Sequence, residues 1–397
     1  MHAPLTSDAR ADVVVVGAGV TGCSAAWHLA RSGARVTLLE ARDVASGASG
    51  RNGGFLLAGL AHRPVQLGAI VGERRAAELY DATAVARERM YEVAASIGAD
   101  SYVERTGSLR LAVDAAELDE LQQEATLLEE MGSVRVQRLD AHELPVRLVG
   151  SFLGGLRFAD DGRLVPAAWV RALGDAAADA GAALHEQSPV VAIEDDDDGV
   201  VVRTQSGHEV RAEHVIVATE AWLSGIVPEL VGHVLPYRSQ VLAAQPLVDG
   251  AALGSGSARL LDHVTWSRRG WDYAQQTADG TLVVGGEQVE DVELLRSWEE
   301  APVDGDQRWI ESWIRRVLQV EPDVVDRWAG VLSQTPDGFP YVGALPGRSR
   351  VHVCGGWGGA GNVLGFACGG LVASRVLGLE AHVPEEFDAA RISERAR

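Results

Sequence analysis

Asp12-Val13-Val14-Val15-Val16 is a continuous apolar run, the pattern of a parallel strand buried on both faces. Apolar positions then fall at helical spacing over residues 23–32, with Gly33 as a C-terminal stop, and residues 34–39 read as a second strand. Residues 61–131 are predicted mostly helical, with helical spacing over 76–97 and over 115–131, the latter ending before Gly132. Between these two, residues 107–113 alternate as a strand does. Residues 169–180 read as an alanine-rich helix stopped by Gly181, and residues 190–193, 200–204 and 210–218 as three strands. The acidic run 194–198 before Gly199 reads as a hairpin turn, a solvated loop in preference to a metal site. Residues 237–242, 271–273 and 281–284 read as strands of a large mixed sheet, the last followed by Gly285-Gly286. Residues 287–320, with Trp298, Trp309 and Trp313, read as a helical insertion, residues 351–353 as a short strand and 363–377 as a last helix.

The first strand runs straight into Gly17-Ala18-Gly19-Val20-Thr21-Gly22, a G-x-G-x-x-G in the context it needs. Gly17 allows a tight turn, Gly19 lets the backbone approach a pyrophosphate, and Gly22 lets helix and strand pack closely. Glu40, with Ala41 and Arg42 after it, stands at the end of the second strand, where a carboxylate can take the ribose hydroxyls of an adenosine. The glycine pattern alone is weak. Strand, helix, strand and Glu40 together predict a dinucleotide site rather than an unliganded turn. FAD and NAD share the fingerprint.

The next stretch separates them. Gly47-Ala48-Ser49-Gly50-Arg51-Asn52-Gly53-Gly54 has little side chain to pack, so it can lie flat against a large ligand and offer backbone N–H groups to it. Here the sequence resembles the D-amino-acid oxidase superfamily of FAD enzymes (glycine oxidase, sarcosine oxidase), and is most similar to the branch containing γ-glutamylputrescine oxidase. The resemblance implies that this loop runs past the pyrophosphate and ribityl chain towards the flavin ring. It also implies an α/β, two-domain molecule: a Rossmann-like FAD-binding domain of residues 1–60, 140–227 and 326–397, and a substrate domain of residues 61–139 and 228–325 on a large mixed sheet flanked by helices. Residues 214–222 resemble the second flavin-domain signature, which brings Ala218, Thr219 and Trp222 to the cofactor; Val190 is a further candidate there. Glu220 stands there in place of the usual glycine.

Gly356-Trp357-Gly358-Gly359-Ala360-Gly361-Asn362 is a glycine turn at a helix start, which points N–H groups and a positive dipole end at whatever lies there. It resembles the family's closing flavin motif, with Ala360 where histidine is usual. In that role it would stabilise the negative charge of reduced flavin, as an oxyanion hole does. The strand of residues 271–273 and the glycine pair resemble the family's roof over the substrate, which makes Tyr273 and Trp271, with Trp266, candidate walls. Aromatic residues filling a sheet core fit the same pattern. His62 and Arg63 follow the flavin loop closely; a place in the active site and a surface pair at a domain crossing both fit.

Composition adds limits. The chain has 397 residues, too many for one core and right for two joined domains. A net charge of −21 disfavours nucleic acid or an anionic membrane as partner. Cys23, Cys354 and Cys368 lack metal-ligand spacing and read as buried apolar residues; no metal is expected. The N-terminal apolar run is too short for a signal segment and is needed as a strand, and no run is long enough to span a bilayer, so the expected location is the cytoplasm. The sequence contains no lysine.

The chemistry the resemblance implies is oxidation of a C–N bond: a hydride leaves the carbon beside nitrogen for the flavin, and the imine hydrolyses. The nitrogen must be neutral, so no strong protein base is required. Relatives of glycine oxidase hold a substrate carboxylate with an arginine fork where this chain has Leu332, which favours an amine unless Arg51, Arg63 or another arginine takes over. Sarcosine-oxidase-like members use a lysine near the flavin to help O2 react, so either another cation serves or O2 is not the acceptor. Gly330 stands where some members attach flavin through cysteine, so FAD is expected to be non-covalent. Three other readings stay open: oxidation of a hydroxy acid, a flavin subunit that needs a partner chain, and FAD as a structural remnant.

Overall fold

The computed structural model describes residues 2–131, 134–196, 198–245 and 259–395. Gly132, expected just past a helix, and Asp197, inside the acidic run 194–198, lie outside the described residues.

Val13–Val16 forms the centre of a six-stranded sheet, with order Ala183–His185, Val36–Leu39, Val13–Val16, His214–Val217, Arg348–Gly355, Tyr341–Leu345. The first five strands are parallel and the last pair is antiparallel. The four valines are buried on both faces because each face is covered. On one side lie the helices Val20–Arg31, Pro166–Asp179 and Gly361–Val376. The first and last approach so closely that a Cβ on Gly369 would stand 2.4 Å from the Thr21 carbonyl oxygen. On the other side lies a four-stranded sheet of Ala9–Arg10, Glu209–Ala212, Gly199–Thr204 and Val190–Asp196. Residues 210–218, expected as one strand, are thus two strands in two sheets, broken at Glu213. The acidic residues 194–196, expected in the turn, extend the strand.

The second part is an eight-stranded mixed sheet, with order Val324–Gln334, Leu235–Ala244, Leu282–Gly286, Asp272–Gln276, Val264–Ser267, Ser108–Leu111, Gly154–Phe158, Val136–Asp140. The boundaries expected at 140 and 326 cut this sheet, because Gly154–Phe158 and all of Val324–Gln334 pair within it. Its back is covered by the helix Asp304–Trp313 and the π turn Ile314–Leu318, which bury Trp313 against Leu242, Leu282 and Val284. Residues 287–303 are not helical, so the predicted insertion shrinks to its second half. Gly285 and Gly286, expected after a strand, lie inside it, and Trp271 precedes its strand, at the end of the short turn Arg268–Gly270.

The front of the large sheet faces the part built on the six-stranded sheet. Cross-strand partners share a face, and one row runs Arg110, Trp266, Tyr273, Gly285, Val241, Trp328. The three cysteines are buried, Cys23 and Cys368 on the packed helices and Cys354 in Arg348–Gly355. Among the described residues no helix is long and apolar enough to cross a membrane, and no cluster of potential ligands could hold a metal.

Candidate active site

The strand Val13–Val16 delivers Gly17 to the mouth of a cavity of about 1150 Å³. Helix Val20–Arg31 starts there with Gly19 as N-cap and no side-chain cap, so its first N–H groups face the cavity end on. Among the described residues only Val20 N of these is engaged by a side chain, donating to Ser49 Oγ at 3.0 Å. Glu40 accepts hydrogen bonds from Ala18 N at 2.7 Å and Arg42 N at 2.9 Å. Burial pushes its carboxyl up, and those backbone donors pull it back. Arg42 pairs with Glu300 at 2.6 Å and stacks over Trp222, itself 6.0 Å from Trp298.

The flavin-loop candidate folds as a single helical turn, Ala48–Arg51, clipped to the last helix by two amides. Asn52 Nδ2 donates to Asn362 Oδ1 at 3.2 Å and Asn362 Nδ2 donates to Asn52 Oδ1 at 3.1 Å. Asn362 also donates to the Phe55 carbonyl, and Gly54 N donates to Asn52 Oδ1. The loop and the glycine turn at residues 357–362 are therefore one unit. Arg51 is spent on structure: its Nε donates to the Ser46 carbonyl at 2.7 Å and its guanidinium reaches the Ala329 carbonyl and Glu300.

Of the residues expected at the cofactor, Gly17, Ala18, Gly19, Val20, Thr21, Glu40, Ala41, Arg42, Gly47, Ala48, Ser49, Arg51, Asn52, Gly53, Val190, Ala218, Thr219, Trp222 and Trp357 to Asn362 all line this one cavity. Gly22, Gly54 and Gly356 stand behind its wall. Gly22 is needed for packing, since a Cβ there would lie 1.8 Å from the Gly17 carbonyl oxygen. The cavity wall fits an extended dinucleotide: besides the open helix start, the hydroxyls of Ser46 and Thr219 are buried in it without a partner among the described residues.

The same cavity continues under the large sheet. Tyr273 lies between two glycines: a Cβ on Gly53 would come within 2.7 Å of its ring, and one on Gly285 within 2.0 Å. Its hydroxyl stands 3.0 Å from Ser239 Oγ, which donates to Glu287 Oε1 at 2.5 Å. Gln240 N donates to the same oxygen at 2.9 Å. Burial pushes the Glu287 carboxyl up to about 7, with Asp306 and Asp272 adding to the rise. Burial likewise pushes the Tyr273 and Tyr237 hydroxyls well above the usual phenol range. Trp271, Trp266, Leu332 and Gly330 complete the wall. His62 and Arg63 also line it, rather than forming a surface pair. His62 Nε2 lies 2.6 Å from the Asp337 carbonyl oxygen, and Arg63 pairs with Glu120 at 2.8 Å and Glu124 at 3.4 Å. Arg110, buried between the rings of Phe158 and Trp266, pairs with Glu124 and Tyr80.

Sequence reading missed Tyr237, Ser239, Glu287 and Arg110. Tyr237, Ser239 and Val241 alternate along one strand, so their common face was readable; what that face meets was not. Glu220, the departure from the family glycine, keeps the left-handed backbone glycine would take, with φ at 50°. Its buried carboxylate accepts from Ser333 N, Ser333 Oγ and Gly356 N, which ties the large sheet to the glycine turn. Burial pushes its carboxyl up and those donors hold it down.

A parallel sheet carrying G-x-G-x-x-G at an open helix start, with a glycine loop leading the same cavity under a second sheet, defines a dinucleotide-dependent oxidoreductase. Residues 12–375 match the DAO family of FAD-dependent oxidoreductases, and the chain belongs to that family. It is 30% identical to the probable oxidoreductase OrdL of Rhizobium meliloti, over 93% of this chain and 83% of that one. It is 28% identical to the γ-glutamylputrescine oxidoreductase of Escherichia coli, over 97% of this chain and 87% of that one. Among solved structures, the glycine oxidase of Geobacillus kaustophilus superposes with a TM-score of 0.79 at 25% identity, covering 96% of this chain and 99% of that one. The protein is an FAD-dependent oxidoreductase of the class that acts on amines and amino acids.

Proposed function

We propose that this chain oxidises the C–N bond of an amine or amino-acid-like small molecule, with hydride leaving the carbon beside nitrogen and the resulting imine hydrolysing in water. One observation carries the reading: the dinucleotide end and the aromatic chamber are a single cavity. When bound, FAD supplies the hydride acceptor. The residues at the helix start, Gly17 to Thr21, would hold its pyrophosphate, and Glu40 its ribose. Ala41, Arg42, Val190, Ala218, Thr219 and Trp222 would enclose the adenosine end. The loop of residues 47–53 and the turn of residues 357–362 would flank the ribityl chain and ring. No cysteine lines the described cavity wall, which supports non-covalent FAD. Tyr273, Tyr237, Trp271 and Leu332 wall off the reacting carbon and exclude water, which orients the substrate and keeps its nitrogen unprotonated. Electrons then leave to O2 or another acceptor.

The visible spectrum of the purified protein under anaerobic conditions, before and after amines, amino acids and hydroxy acids, tests this. A yellow protein that bleaches with an amine is the expected result. A protein that bleaches only with hydroxy acids, or that stays colourless after reconstitution with FAD, overturns it.

A further inference from the structure

The charges lining the chamber are not alike. Among the described residues, the arginines that line it beneath the large sheet, Arg63, Arg110 and Arg269, are each already paired: Arg63 and Arg269 with Glu120, and Arg110 with Glu124. None is left as a free fork for a carboxylate, and Leu332 lies across the strand pair from Tyr237, where its apolar side chain offers nothing to an anion. Glu287 is the opposite case. It is 3% exposed, it lines the cavity, and among the described residues both hydrogen bonds to its carboxylate, from Ser239 and Gln240, fall on Oε1. Among the described residues Oε2 has no hydrogen bond and no cation reaches the carboxylate; the nearby Arg268 donates to the Glu287 carbonyl and to Asp272 instead. Two other buried carboxylates are provided for: Asp161 has Arg87 and Ser108, and Glu220 has donors on both oxygens. A buried carboxylate with one bare oxygen facing a ligand cavity is a place for a cation.

We infer that Glu287 is the recognition residue for a cationic nitrogen of the substrate, and that this nitrogen is not the one oxidised. The second half follows from proton affinities. An alkylammonium ordinarily releases its proton only at about pH 10, and an anionic carboxylate in contact with it favours its charged form further, so Glu287 keeps a nitrogen beside it protonated. A protonated nitrogen cannot lose hydride from its neighbouring carbon. The substrate therefore carries two nitrogens, one held as a cation at Glu287 and a neutral one presented for oxidation: a diamine, a polyamine or an aminoguanidine-type molecule. This rests on the amine-oxidising reading above.

The test uses two probes of one shape. Butylguanidinium is permanently charged and cannot be oxidised by this route; butylurea is its neutral counterpart. Calorimetric titration of the FAD-loaded protein is expected to give roughly tenfold or tighter binding of the guanidinium over the urea, the range of a charge-assisted hydrogen bond. In Glu287→Gln, which keeps the acceptor for Ser239 and Gln240, the ratio is expected to fall to about one. A wild-type ratio near one, no measurable binding of the guanidinium, or a ratio preserved in E287Q overturns the inference. The wild-type ratio decides alone if E287Q does not load FAD. Because neither probe turns over, selectivity without amine bleaching would sink the oxidation reading and leave Glu287 a cation site. Bleaching without selectivity would do the reverse.

Discussion

Gly285 has no side chain, and Tyr273 occupies the space where one would be. Gly285→Ala places a Cβ 2.0 Å from the Tyr273 ring, so the ring must leave its seat against Gly53. Overpacking of this kind costs about 1–3 kcal/mol. FAD content is expected to survive, while kcat/KM falls roughly tenfold to a hundredfold because the chamber wall has moved; absorbance and steady-state rates check both. Glu287 gives a prediction with a sign. Its folded carboxyl, near 7, lies above the ordinary 4.5, so the fold prefers the protonated form. Its contribution is full below about pH 4.5 and declines as pH rises through 7, by up to about 3 kcal/mol. Asp272 and Asp306 face it and push the same way, while Tyr237 and Tyr273 stay neutral throughout. Thermal unfolding of the ligand-free holoprotein at pH 5 and pH 8 should show a loss that E287Q lacks; parallel pH profiles for the two proteins would refute it.

At the scale of elements, the loop of residues 47–54 and the helix Gly361–Val376 act together through Asn52 and Asn362. Asn362→Ala removes the reciprocal amide pair and the bond to the Phe55 carbonyl. At about 1 kcal/mol for a net hydrogen bond, FAD affinity is expected to drop roughly tenfold. Fluorescence of released flavin on dilution measures it, and an unchanged dissociation constant would show that the clip is ornamental. This is also the scale at which the sequence was most readable. Val13–Val16, Gly17 to Gly22 and Glu40 fall in one strand–helix–strand unit, and together they point to a dinucleotide site. The aromatic chamber resisted because it is assembled by register. Glu287 meets Ser239 only because Leu235–Ala244 and Leu282–Gly286 pair antiparallel, and nothing near either residue states that pairing. Residues 287–303 misled for a related reason: tryptophans at wide spacing suggested a helix, whereas Trp298 packs on Trp222 of the other part.

At the scale of the whole molecule, the six-stranded and eight-stranded sheets are the two large sheets, and one cavity is lined from both. The three thiols are all on one side of that division: Cys23, Cys354 and Cys368 belong to the six-stranded sheet and its helices, and none sits on the eight-stranded sheet. Burial pushes all three upward, Cys368 to about 12, so at neutral pH almost no thiolate exists to react. A thiol reagent must wait until the nucleotide-binding part opens, and its rate of incorporation is then a clock for that opening alone. FAD should slow the clock by the factor its binding stabilises that part, while a cation held at Glu287 should slow it less. Any thiol that reacts promptly in the native holoprotein would break the correspondence. The chain thus carries a domain-specific stability gauge that needs no engineered label.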